Sequence, residues 1–186
     1  TKLILWHGKS DAARWFLFNR EKLKFGMNFN SNGLILDIGS YLGAYTNKLI
    51  DKNPGMTFWL YEPIPEHYRA CLIRFKDKEN VSVYQKAVSA DGRDIRMQID
   101  GLRSRQELNT NDEVLKFASI NIQEIFDSVN EIELLKMNIE GMEYECLSQL
   151  IRSNTLIKAN HLLIQFHNFE SEADKKRNQI IKVIED

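Results

Sequence analysis

The chain has 186 residues, 43% of them hydrophobic, with 25 lysines and arginines against 26 aspartates and glutamates. That length suits one domain with a single sizeable core, and the near-zero net charge leaves no global electrostatic footprint for nucleic acid or an anionic membrane. No apolar run approaches the roughly 20 residues of a membrane span, and Leu3-Ile4-Leu5-Trp6 is too short for the apolar core of a signal peptide. In chain order, residues 10–25 pattern as a helix with Ala12, Trp15, Phe16 and Leu23 on one face. The apolar run 34–38 predicts a first strand and 42–51 its helix. Residues 57–61, β-branched and aromatic, predict a second strand that Glu62-Pro63 ends. A helix over 65–76 follows, with proline in its favoured first turn. Residues 81–84 predict a third strand, 132–137 a fourth and 161–166 a fifth, with a helix over 142–152 between the last two and another over 172–184.

Residues 90–120 break this rhythm. Asp91-Gly92 is a turn signal, Ile95, Met97 and Ile99 alternate as a half-exposed strand does, and a polar stretch over 103–113 precedes a second alternation at 115–120. This reads as an inserted β-excursion with a loop. The domain plan is an N-terminal helical segment over 1–32, a core over 33–168 and a C-terminal helix over 169–186. Cys71 shares an apolar stripe with Tyr68, Leu72 and Phe75, and Cys146 one with Met142, Leu147, Leu150 and Ile151. Both therefore read as free, buried, small hydrophobes, which fits a reducing cytoplasm.

Strands alternating with helices imply an α/β fold, a mostly parallel sheet with helices on both faces. Ligands of such sheets lie over the carboxyl ends of the strands, where the strand order reverses. Asp37-Ile38-Gly39-Ser40-Tyr41-Leu42-Gly43 ends the first strand in an acid and two glycines spaced G-x-x-x-G. Gly39 is expected to let the backbone pass close to a ligand, and Gly43 to let the helix sit close to the strand. The third glycine of G-x-G-x-x-G is missing, which argues against a nicotinamide oxidoreductase. Asp37 would repel a pyrophosphate but suits a ligand carrying positive charge, such as S-adenosylmethionine. Glu62, roughly 20 residues past the turn, is placed to accept hydrogen bonds from a ribose diol, and Ala87 leaves room for a flat adenine.

The segment 135–144 breaks from an apolar strand into a loop holding Lys136, Asn138 and Glu140. These are candidates to hold an acceptor hydroxyl or its departing proton. They read equally well as a strand lysine, a turn amide and a first-turn helix acid. His167, after the fifth strand, is a natural base near neutrality or else a satisfied structural group. A metal site would have to be built from Glu140, His167 and Asp37, which lack diagnostic ligand spacing, so no metal is expected.

Asp37-Ile-Gly-Ser-Tyr-Leu-Gly-Ala-Tyr-Thr46, Tyr61-Glu-Pro-Ile-Pro65, Gln85-Lys-Ala-Val-Ser89, Lys136-Met-Asn-Ile-Glu-Gly-Met-Glu143 and Ile164-Gln-Phe-His167 stand in the order and spacing of the FkbM-like methyltransferases, which the chain resembles over about 33–168. The resemblance implies a three-layer, Rossmann-like class I methyltransferase fold. It also implies S-adenosylmethionine-dependent O-methylation of a small hydroxylated acceptor such as a sugar or secondary metabolite, with neither nucleic acid nor membrane as partner. Carried over by position, Asp37, Gly39 and Gly43 would line the methionine part of the cofactor, with Ser40 and Thr46 in the same turn and helix. Glu62, followed by Pro63, would bind the ribose and Ala87 would border the adenine. His167, Lys136, Glu140 and Asn138 are the catalytic candidates. Asn138 stands where an aspartate is frequent and Gln165 where a glutamate is frequent, as in one branch of the family. The alternatives are a cofactor-binding domain that no longer turns over, and a nucleic-acid methyltransferase. The latter is disfavoured because the 138–141 loop has no aromatic to clamp a flipped base. The family's sheet usually gains two more strands after the last helix; the chain reads as lacking them, which would leave a bare edge beside the fifth strand.

Overall fold

In the computed structural model, which describes residues 2–7, 25–29, 32–100, 103–106, 114–168 and 171–185, the first element is a strand, β1 (Lys2–His7). Then come β2 (Leu34–Ile38), α1 (Ala44–Lys52), β3 (Thr57–Tyr61), α2 (Pro65–Arg74) and β4 (Val81–Tyr84). The short β5 (Ala87–Ser89) leads into β6 (Ile95–Asp100), β7 (Arg103–Gln106), β8 (Val114–Phe117) and β9 (Ser119–Asn121), followed by α3 (Ile122–Asp127). The remaining elements are β10 (Ile132–Met137), α4 (Glu143–Arg152), β11 (Ala159–Phe166) and α5 (Ala173–Glu185).

Six strands form one sheet in the order β1-β11-β10-β2-β3-β4, every adjacent pair parallel. The order reverses between β10 and β2, so the crevice beyond their carboxyl ends is the place for a ligand. Alternation along each strand divides the core into two. Leu36, Ile38, Leu135, Met137, Leu162 and Ile164 pack on α3, α4 and α5, while Ile35, Phe58, Leu60, Leu134 and Leu163 pack on Leu49 and Ile50 of α1 and Cys71 of α2. The result is the expected three-layer α/β arrangement. β6 pairs antiparallel with β7 and β8 as a separate three-stranded sheet, and β5 pairs with β9.

The structure departs from the sequence reading in several places. The sheet edge beside β11 is not bare: β1 runs along it from Lys2 opposite His161 to His7 opposite Phe166. The N-terminal segment is therefore not wholly helical, and its predicted helix over 10–25 lies outside the described residues but for Phe25. The four-residue apolar run Leu3–Trp6 is too short to carry a period that separates a strand from other short elements, which is why β1 escaped the pattern. Residues 103–106, read as part of a polar stretch, pair with β6, because antiparallel pairing is made by backbone groups and needs no apolar run. Leu72 is not on the buried stripe of α2: it is 42% exposed, and Cys71 with Phe75 makes the contact. α3 went unread, although Asn121 caps it by accepting from the Gln123 N–H and Ile122, Ile125 and Phe126 are buried at helical spacing. Both cysteines are free and buried. Among the described residues no helix is long and apolar enough to cross a membrane.

Candidate active site

The turn after β2 is held from two sides. The N–H groups of Gly39 and Ser40 both donate to the Tyr61 carbonyl at the end of β3, at 2.9 and 3.2 Å. Gly39 has φ +78°, and a Cβ there would collide with the backbone carbonyl oxygen of Asn138. The glycine thus lets the turn pass the loop that follows β10, where the Asn138 N–H donates to the Ile38 carbonyl at 3.0 Å. Gly43 has φ +71°, and a Cβ there would lie 2.6 Å from the Phe75 ring and 3.3 Å from Cys71 Sγ. Its close approach is to the end of α2, a helix-to-helix contact, and not to a strand as the spacing suggested.

Asp37 and Lys136 face each other across the β2–β10 pair, in register and on the same face of the sheet. Lys136 Nζ lies 2.7 Å from Asp37 Oδ1 and donates to the Gly39 carbonyl at 2.7 Å. Thr46 Oγ1 donates to Asp37 Oδ2 at 2.6 Å. Asp37 is fully buried. The trio therefore fixes the glycine turn from beneath, and neither Asp37 nor Lys136 nor Thr46 is among the residues lining the cavity above it. Ser40 and Gly43 do not line it either; the Ser40 hydroxyl lies 3.8 Å from the Cys71 thiol.

That cavity, of about 240 Å³, opens over the carboxyl ends of β2, β3 and β10. Gly39, Glu62, Pro63 and Ala87 line it on one side, Asn138, Ile139 and Glu140 on the other. Ile95 and Met97 of β6 add an apolar wall, which joins the small core of Ile64, Ala87, Phe117 and Met142. The excursion thus forms part of the site. Glu62, 4% exposed, accepts from the Tyr41 N–H at 2.8 Å and the Ile64 N–H at 3.0 Å. Burial pushes its carboxyl up to about 7, against the lowering pull of those two N–H groups and of Lys136, with Asp37 adding to the rise. His67 Nδ1 is 3.5 Å from Glu62 Oε1. Burial lowers the His67 pKa against the pull of Glu66, so this contact joins two groups that both favour their neutral forms. Asn138 Oδ1 is buried and has no hydrogen-bond partner among the described residues.

The second cluster is built around a residue that sequence reasoning passed over as a mere motif member. Glu143, fully buried at the start of α4, accepts from the Ile139 N–H at 2.8 Å, the Gly141 N–H at 2.9 Å and His167 Nδ1 at 2.8 Å. It binds the 139–141 loop to the end of β11. The Glu-Gly-x-Glu spacing was the available signal, since an acid in the first helical turn sits among unsatisfied N–H groups. His167 does not line the cavity; its Nε2 lies 3.6 Å behind Glu140 Oε2, and Glu140, at φ +56°, does line it. Burial works against the imidazolium, yet the Glu143 hydrogen bond and charge, with the Glu140 charge, outweigh it and hold the His167 pKa above the ordinary value. Of the four catalytic candidates the structure brings Asn138 and Glu140 to the cavity wall, sets His167 directly behind Glu140, and places Lys136 beneath the turn. Among the described residues no group of three or more histidines, cysteines or acids is placed to hold a metal ion.

Compared with known families, residues 37–186 match the methyltransferase FkbM domain. No curated protein is significantly similar in sequence. Among solved structures, a methyltransferase FkbM from Methylobacillus flagellatus KT superposes with a TM-score of 0.55 at 18% identity, covering 84% of this chain and 39% of that one. A precorrin-6y C5,15-methyltransferase from Geobacter metallireducens GS-15 gives a TM-score of 0.50 at 11% identity, covering 86% and 64%. The StiE O-MT fragment gives 0.51 at 12% identity, covering 93% and 53%. The chain thus spans less than two thirds of each of these proteins, and the likeness is one of fold.

Proposed function

The chain belongs to the FkbM methyltransferase family, and from that premise we propose that it transfers a methyl group from S-adenosylmethionine to a hydroxyl oxygen of a small acceptor, a saccharide or similar polyol being the class to try first. The observation that carries this reading is the juxtaposition of two unlike ends in one cavity. At one end stand Glu62, the Gly39 turn and the space beside Ala87; at the other stands the Glu140 carboxylate, backed by His167 and Glu143.

The residues fit the cofactor that membership implies. Asn138 lines the cavity and its buried Oδ1 has no hydrogen-bond partner among the described residues; an amino-acid ammonium bound beside it would supply the missing donor. Glu62 would take the ribose hydroxyls, the Gly39 turn the methionine part, and Ala87 the adenine edge. Bound there, the group supplies an electrophilic methyl carbon. The chain's own contribution is positioning and proton handling. Asp37, Lys136 and Thr46 hold the turn rigid, Glu143 holds the loop, and Glu140 accepts the proton of the acceptor hydroxyl. His167, tautomerically fixed by Glu143, stands 3.6 Å behind to share that proton through Nε2.

Calorimetric titration with S-adenosylhomocysteine, and NADH as control, is the direct test. Micromolar binding of the former alone, followed by methylation of a polyol acceptor, is expected. No binding would overturn the site assignment; binding without transfer to any hydroxylated acceptor would mark a domain that no longer turns over.

A further inference from the structure

We propose that Gln165 is a positioning residue that lets His167 act as a reversible proton store behind Glu140, donating its amide N–H to the neutral imidazole and, turned through half a revolution, accepting from the imidazolium. The inference rests on the methyl-transfer reading above and concerns what sustains its proton step. Gln165 and His167 are two residues apart at the end of β11, and Gln165 Nε2 lies 3.3 Å from His167 Nε2. The other ring nitrogen is committed: Nδ1 is 2.8 Å from a Glu143 carboxylate that two backbone N–H groups also hold. Nδ1 therefore keeps its proton throughout, and Nε2 is the atom that gains and loses one. Once the Gln165 amide turns away and frees the single Nε2 lone pair, a proton leaving the acceptor hydroxyl for Glu140 and then Nε2 converts that nitrogen from acceptor to donor.

A second observation bears on the same amide. Gln165 Oε1 is buried and has no hydrogen-bond partner among the described residues. Leaving a buried carbonyl idle is costly, and a second orientation in which it is used accounts for its being tolerated. A side chain that must serve as donor in one protonation state and acceptor in the other has one idle end in each. Glutamine meets both demands; an ionised glutamate only accepts and holds the imidazolium, and methionine does neither. Among the described residues, charged groups facing His167 include Glu143 from α4 and Glu140 from the preceding loop, while the Tyr144 hydroxyl donates to the His167 carbonyl at 3.1 Å.

The test is an NMR titration of His167 in the full chain labelled at histidine, comparing wild type with Gln165→Glu and Gln165→Met, followed by methyl-transfer rates on an acceptor. Gln165→Glu is expected to raise the His167 midpoint by about one pH unit or more, a tenfold change in proton affinity. Gln165→Met, which withdraws support from both states alike, is expected to leave the midpoint within a few tenths while lowering kcat, with S-adenosylhomocysteine affinity intact. An unmoved midpoint in Gln165→Glu would overturn the proposal. So would a shift in Gln165→Met as large as that of Gln165→Glu, since it would mean the amide favours one state only. The titration needs no ligand, so the expected midpoints combined with no cofactor binding would refute the methyl-transfer reading and not the coupling. Should Gln165→Glu not fold, a Gln165→Met midpoint displaced by about one pH unit or more, or an unchanged kcat, would overturn the proposal by itself.

Discussion

Replacing Glu62 with glutamine separates the two things this carboxylate does. In the folded chain its pKa of about 7, against an ordinary 4.5, corresponds to about 3 kcal/mol of preference for the neutral acid. A group whose pKa rises on folding contributes stability that is fully present below the unfolded value and is lost as pH climbs through the folded one. Wild type should therefore lose about 3 kcal/mol through Glu62 between about pH 4.5 and pH 8, while Glu62→Gln, which cannot titrate, keeps it. The variant has one amide N–H facing the Tyr41 or Ile64 N–H where an oxygen stood, a pH-independent cost of about 1–2 kcal/mol. Urea unfolding of both proteins at about pH 4.5, 6 and 8 cancels that constant. The difference between them should move by about 3 kcal/mol in the variant's favour across the range. Parallel stability curves would refute the claim that burial destabilises the ionised carboxylate. The same substitution should weaken S-adenosylhomocysteine at least tenfold, and wild-type affinity should rise with pH through about 7 as the carboxylate ionises to receive the ribose hydroxyls.

Lys136→Met strands the fully buried Asp37 charge and should cost about 3–5 kcal/mol by urea denaturation, with much of that recovered in the Asp37→Asn/Lys136→Met double variant. Gly39→Ala meets both an unfavourable positive φ and the Asn138 carbonyl; a loss above about 2 kcal/mol is expected, read as a lowered urea midpoint or failure to accumulate folded protein. Because His167 must be neutral at Nε2 to take a proton and its pKa is raised, the acid limb of the kcat/KM profile should lie above the ordinary histidine value. Glu143→Gln, which removes the main cause of the rise, should move that limb to lower pH.

The strand–helix alternation was written in the chain because each apolar run carries its own period. β2, β3, β4 and β10 fall on the predicted residues for that reason, and the parallel sheet follows from their alternation with helices. Asp37, Gly39, Glu62 and the Lys136–Glu143 segment could be singled out because they sit at strand ends, where turn chemistry is local and the cavity opens. Which of them touch the cavity was not legible. Asp37 and Lys136 look like ligand groups in one dimension, but they are in register on adjacent strands and neutralise each other under the turn. Gly43 looks like a helix–strand contact, but the α2 end reaches it first. The importance of Glu143 arises only once β11 brings His167 beside α4. The edge filled by β1 and the wall supplied by Ile95 and Met97 likewise depend on pairings between distant residues. The sequence alone determined the elements and the strand ends at which chemistry gathers, because hydrophobic period and turn residues act over a few positions. Tertiary structure decided which side chains face the cavity and which face each other, because strand order and register join residues about a hundred positions apart, as with Gly39 and Lys136.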